Sequence, residues 1–206
     1  MPARSFIGLS QAMALTLMAA MSLASHASAN VGQPAPDFTG RDTNGNPITL
    51  SQYKGKTVVL EWTNHECPYV KKHYNSGNMQ KLQRDATADG VVWLSIISSK
   101  PGKQGHVSAN QANDLTASRN AAPTAVILDE TSGIGLLYGA KTTPHMYIID
   151  KAGQLVYMGG IDDTPSSDED DIPNAKNYVR AALDALAAGQ PIKDSTTRPY
   201  GCSVKY

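Results

Sequence analysis

The chain has 206 residues, 18 Lys+Arg against 18 Asp+Glu, a hydrophobic fraction of 41% and two cysteines. Zero net charge excludes a nucleic-acid binder that relies on a strong basic field. Two cysteines exclude a disulfide-rich scaffold and a four-cysteine zinc site. The apolar content suits a packed core and is too high for a disordered chain, and the length suits one domain with an appendage.

Residues 1–29 read as a secretory signal peptide. Arg4 is their single charge, Ala12 to Met21 is apolar, and Ala27-Ser28-Ala29 fits a small-x-small cleavage site. The apolar middle is too short for a comfortable span of about 20 residues; an uncleaved anchor is the alternative. Cleavage would place the mature chain in the periplasm or outside the cell, where disulfides persist. Cys67 and Cys202 could then pair or cycle.

The mature chain opens on the extended, proline-punctuated segment 31–38. Asn44-Gly45-Asn46-Pro47 signals a turn between two strands. Residues 51–56 read as a helical turn or loop. Thr57 to Thr63 is β-branched and aromatic, a buried central strand. Residues 64–68 break it, and a helical pattern runs from Val70 to about Ala88, with Asn75-Ser76-Gly77-Asn78 able to kink or split it. Val91 to Ile97 is a second buried strand. A loop with Pro101, Gly102 and Gly105 follows, then a polar helix from Ser108, its N-cap, to Arg119. Ala125 to Asp129 is a short strand, and Ile134 to Tyr138 a short helix or turn. His145 to Ile149 and Gln154 to Met158 form a hairpin. An acidic stretch, 162–173, reads as a solvated loop, because the offsets of a calcium loop are missing. Asn174 to Ala188 is an amphipathic helix closed by Gly189 and Pro191. This order gives a mixed α/β layout.

Cys67 stands where a strand gives way to a helix. Unpaired N–H groups at a helix start favour a thiolate, the form that attacks disulfides and peroxides. Pro68 suits the first helical turn, and Lys71 and Lys72 could add positive potential. The bland alternative is a buried, inert cysteine.

The segment Val59-Leu60-Glu61-Trp62-Thr63-Asn64-His65-Glu66-Cys67-Pro68-Tyr69-Val70 resembles the active-site stretch of thioredoxin-fold proteins. It is most similar to a peroxiredoxin-like branch of the alkyl hydroperoxide reductase/thiol-specific antioxidant (AhpC/TSA) family. Thr142 to Asp150 resembles the segment that carries the cis-proline of such folds. Val31 to Phe38 resembles the opening segment of redoxins, and Arg198 to Tyr206 a terminal motif of the same branch. The resemblance implies a thioredoxin-like α/β fold over residues 30–191: a central mixed β-sheet flanked by helices, with an N-terminal β extension and a tail, 192–206, carrying Cys202. It also implies an antioxidant or thiol oxidoreductase, with Cys67 and Cys202 as catalytic residues. Asn64, Thr143 and Pro144 would bind substrate, Thr143 through a free backbone edge.

Departures from the family pattern are informative. Val70 stands where thioredoxin-type reductases have a second cysteine, so no local dithiol exists. Asn64 and Leu60 occupy the positions of the peroxiredoxin threonine or serine and proline, and Pro144 that of an arginine, which Arg119 could replace.

A tail cysteine has the reach to resolve an oxidised Cys67, within one chain or across a homodimer; a static disulfide is the alternative. His65 and His145 are candidates for proton relay. Glu61, on a buried strand, needs a partner or a shifted pKa. The chemistry calls for no organic cofactor and no metal. Its partners would be a disulfide or hydroperoxide substrate and an external thiol reductant, thioredoxin-like or small. A second class of reading is a module without turnover, binding a partner or binding copper or zinc through Cys67 with His65, His73 or His145.

Overall fold

The computed structural model describes Met1 and residues 28–206, so nearly all of the predicted leader lies outside the described residues. The central sheet has five strands in the order β5-β4-β3-β7-β8. These are β3 (Val58–Trp62), β4 (Val92–Ile97), β5 (Ala125–Leu128), β7 (His145–Ile149) and β8 (Leu155–Gly159). β3 runs parallel to β4 and antiparallel to β7, with Leu60 opposite both Leu94 and Tyr147. β3, β4 and β7 are buried along their whole length, which is why they read as continuous apolar runs. A small antiparallel ribbon, β1 (Thr39–Arg41) with β2 (Pro47–Thr49), flanks the predicted turn.

Side-chain alternation divides the core in two. Leu60, Trp62, Leu94, Ile96, Tyr147 and Ile149 face one side. Val59, Trp93, Met146 and Ile148 face the other, against α1 (Pro68–Asn75), α2 (Asn78–Ala88) and α5 (Tyr178–Ala187). The remaining helices are α3 (Ala109–Ser118) and α4 (Gly133–Tyr138). Ser108 caps α3 as expected, its hydroxyl accepting from the Gln111 amide in a capping box.

The helical stretch of 70–88 is split within Asn75-Ser76-Gly77-Asn78, as that segment allowed, at Gly77, whose φ of 76° is left-handed and suits glycine. One boundary differs from the sequence reading. The closing helix begins at Tyr178 rather than Asn174, with Asn177 accepting from the Arg180 amide. Pro173 confines the preceding turn to a short 3₁₀ segment, Glu169–Asn174, within what was read as an acidic loop.

Glu61 lies on β3 with no solvent exposure. Its carboxylate accepts from Tyr74 Oη (2.8 Å), Gln83 Nε2 (3.1 Å), Trp93 Nε1 (2.8 Å) and Ser95 Oγ (2.8 Å). A buried charge is tolerable only when so satisfied. Glu61→Leu strands these donors and should cost about 3–5 kcal/mol in urea unfolding with an unchanged m-value. A cost below about 1 kcal/mol would show the network to be dispensable.

The tail is no loose appendage. Met158 N–H donates to Ser195 O and Thr197 N–H to Met158 O, both at 3.1 Å. β9 (Cys202–Ser203) pairs antiparallel with β6 (Thr142–Thr143), placing Cys202 opposite Thr143. Beyond it Val204 N–H donates to Lys141 O (3.1 Å), and Tyr206 Oη to Ala140 O (2.7 Å).

Candidate active site

β3 ends at Trp62, and the chain turns through Asn64 into α1. Asn64 Oδ1 accepts from the Glu66 amide (2.9 Å), and the Cys67 amide donates to Asn64 O (3.1 Å). This local turn sets Cys67 as the N-cap of α1 with Pro68 in its first turn. Across from it lies the Thr143–Pro144 bond, which is cis. The fold thus brings together three segments far apart in sequence: the α1 N-terminus, the β6–β7 junction and the tail.

Cys67 is fully buried, but its sulfur faces polar groups. Cys202 Sγ lies 2.6 Å away, Thr143 O 3.1 Å, and the Cys202 amide nitrogen 3.4 Å. Both cysteines are free thiols in the structure. Burial alone would push the Cys67 thiol up. The Cys202 thiol and the amides of Val70 and Cys202 favour the anion, and although the Thr143 carbonyl accepts from the protonated thiol, the balance falls below the ordinary 9.0. Cys202 goes the other way, to about 11, through burial, its hydrogen bond to Cys67 and the Cys67 charge. The pair is therefore ordered: Cys67 yields its proton more readily than Cys202 does.

Lys72 is buried and donates to Thr164 O (3.1 Å) and Ser166 Oγ (3.3 Å). Asn64 is buried, with its amide spent on the turn and on Gln104 O (3.4 Å). The Thr143 edge, expected to be free for substrate, is taken by Cys202 of the same chain; a fifteen-residue tail, 192–206, has the length to fold back over the junction. Neither His65 nor His145 hydrogen-bonds the Cys67 sulfur, whose partners are those named above. His145 is buried and held near pKa 3 by burial and by Lys141; its Nδ1 accepts from the Lys141 amide (3.2 Å) and lies 3.1 Å from Tyr147 Oη. His65 shares a small cavity with Thr63 and Arg119, and its pKa is lowered by burial and by the Arg119 charge. Arg119 stacks on the Tyr74 ring, 4.9 Å from its centroid, and forms no contact with Cys67. Among the described residues no group of three or more His, Cys, Asp or Glu is placed to hold a metal ion.

Sequence reasoning missed Tyr200. Its hydroxyl meets His73 Nε2 (3.2 Å) and donates to Asp162 Oδ1. A usable signal was the spacing Tyr200-Gly201-Cys202: on an extended segment the tyrosine and the cysteine share one face. Gly201 is required there, because its φ is +136° and a Cβ would lie 2.1 Å from Thr143 O.

The chain is similar to several known proteins. The chain is 25% identical over 152 residues to a probable phospholipid hydroperoxide glutathione peroxidase of Nicotiana tabacum, covering 66% of this chain and 89% of that protein. It is 28% identical over 131 residues to the thioredoxin-like protein YneN of Bacillus subtilis, covering 62% and 71% respectively. Among solved structures it resembles an uncharacterized conserved protein from Geobacillus kaustophilus, at 28% identity and a TM-score of 0.72, over 86% of this chain and 92% of that one. The fold is thioredoxin-like, and the matches at the level of sequence are to thiol-dependent redox proteins. Residues 31–158 match the AhpC/TSA family model, and the chain belongs to the AhpC/TSA family.

Proposed function

We propose that the protein is an exported thiol oxidoreductase in which Cys67 attacks a hydroperoxide or disulfide and Cys202 resolves the product. The observation that supports this best is the placement of the two cysteine sulfurs 2.6 Å apart at the start of α1. With a hydroperoxide, the Cys67 thiolate takes one oxygen to become a sulfenic acid, and the alkoxide or hydroxide leaves and is protonated. The Cys202 thiol then forms the disulfide and releases water. An external dithiol reduces that disulfide, becoming oxidised itself. The pairing partner lies within the same chain, so the cycle needs no second subunit. The leader-like segment 1–29 supports work in an oxidising compartment.

The division of roles is tested by alkylating each cysteine against pH. Cys67 should titrate below 9.0, and Cys202 near 11. The sign follows from the thiolate being the reactive form: lowering pH through the Cys67 midpoint quenches its alkylation, whereas Cys202 is already silent there. Non-reducing mass spectrometry after one equivalent of peroxide should show the Cys67–Cys202 link, two hydrogens lighter. Two ordinary midpoints with no link formed would refute the proposal.

A further inference from the structure

The tail crosses the whole front of the site. It hydrogen-bonds β8 through Ser195 and Thr197, β6 through Cys202 and Lys141 through Val204. The Lys100 amide donates to Lys205 O at 3.0 Å. The β6 edge is a place where an outside strand could be added by main-chain pairing. Here residues of the same chain fill it and cover Cys67, which has no solvent exposure.

One side chain of this segment reaches into a polar pair within the domain. His73 is fully buried and Asp162 nearly so. The Asn78 amide donates to His73 Nδ1 (2.9 Å), which leaves the ring proton on Nε2, facing Tyr200 Oη at 3.2 Å. Tyr200 in turn donates to Asp162 Oδ1, whose second partner is the Thr164 amide (3.0 Å). The Tyr200 ring packs edge-on against Tyr69, with centroids 5.9 Å apart. Withdrawing Tyr200 would leave the His73 N–H facing only Asp162 Oδ2, at 3.9 Å beyond hydrogen-bond reach, so the domain favours the tail in place. Nothing in the cysteine chemistry itself requires this chain of groups.

We propose that residues 195–206 are a strap that fills the strand position beside Cys67, and that Tyr200, held by His73 and Asp162, is the positioning residue that seats Cys202 on Cys67. The proposal deepens the redox reading and rests on it for its purpose: the strap keeps outside proteins from Cys67 while presenting the resolving thiol. Opening it exposes the Thr142–Thr143 edge.

The test uses the full-length reduced protein and iodoacetamide, with each cysteine followed by peptide mass spectrometry. Rates are compared at the alkaline plateau, so that differences in ionisation do not enter. In the wild type, Cys67 should react at least tenfold more slowly than Cys202. Tyr200→Phe keeps the ring and removes the hydroxyl; Asp162→Ala attacks the latch from the domain side. Each should accelerate Cys67 alkylation at least tenfold, slow closure of the Cys67–Cys202 link by glutathione disulfide, and raise hydrogen exchange within residues 199–206 alone. A merely structural tyrosine would instead lower Tm and raise exchange throughout. Wild-type Cys67 reacting as fast as Cys202 would overturn the strap, and both variants alkylating at the wild-type rate would overturn the latch. Alkylation needs no turnover. Slow Cys67 alkylation in a protein that turns over neither peroxide nor a disulfide would therefore defeat the redox reading and leave the strap standing; the opposite pattern would do the reverse.

Discussion

Cys67→Ser should reduce thiol-dependent peroxide or disulfide turnover to the rate of the reductant alone, a loss on the order of 10³-fold or more. The side chain shrinks by little, and the α1 start, the Thr143 carbonyl and the tail remain in place. What disappears is the only group at the site that ionises readily: a serine hydroxyl placed among the same donors does not yield an anion near neutral pH, and sulfur is the stronger nucleophile. Cys202→Ala should behave differently. The first attack survives, but the Cys202 thiol is the foremost donor favouring the Cys67 anion, so the Cys67 midpoint should move upward and the attack slow. Resolution then fails, and a mixed disulfide or sulfenic acid should accumulate on Cys67 after a single turnover. The measurement is reductant-coupled peroxide consumption together with intact-mass analysis. Wild-type rates in Cys67→Ser would remove the enzyme reading altogether.

The centre of the sheet was legible because β3, β4 and β7 are buried on both faces and therefore written as apolar runs: Thr57 to Thr63, Val91 to Ile97 and His145 to Ile149 each hold a strand close to the expected bounds. Cys67 was legible as well, since Pro68 and the strand-to-helix change are local signals. What local signals do not carry is the return of the tail. Nothing in Arg198 to Tyr206 states that it pairs with Thr142–Thr143, because register across such a separation is set by the assembled surface. The same limit explains Glu61: the glutamate was evident, but its donors come from α1, α2 and β4, and only the packed fold collects them. The surroundings of Asn64 and the histidines were not legible for a related reason. Proximity in sequence to Cys67 does not say where a side chain points, and Asn64 is used by its own turn.

Oxidation of the pair should stabilise the fold substantially. The Cys67–Cys202 link closes a loop spanning 135 positions, which in the chain-entropy model destabilises the unfolded state by about 5 kcal/mol. The sulfurs lie 2.6 Å apart, so little movement is needed to reach the bond length of about 2.05 Å. Urea unfolding of the oxidised and reduced proteins should therefore differ by roughly 3–5 kcal/mol, through the midpoint rather than through a large change in native compactness. By thermodynamic linkage the same quantity measures how much more readily the disulfide forms in the folded chain than in the unfolded one. An opposing effect acts on the reduced state. Donors that favour the Cys67 anion stabilise the dithiol form and make Cys67 a better leaving group, and each tenfold gain in its ionisation offsets about 1.4 kcal/mol. The loop contribution prevails unless that ionisation improves by more than about three orders of magnitude. The expected result is a disulfide that resists glutathione and yields to a dithiol, whose second thiol completes the exchange without a third partner. Redox titration against glutathione and against a dithiol separates the outcomes: ready reduction by glutathione would show that the thiolate stabilisation outweighs the loop, and resistance to both would assign the pair a static structural role.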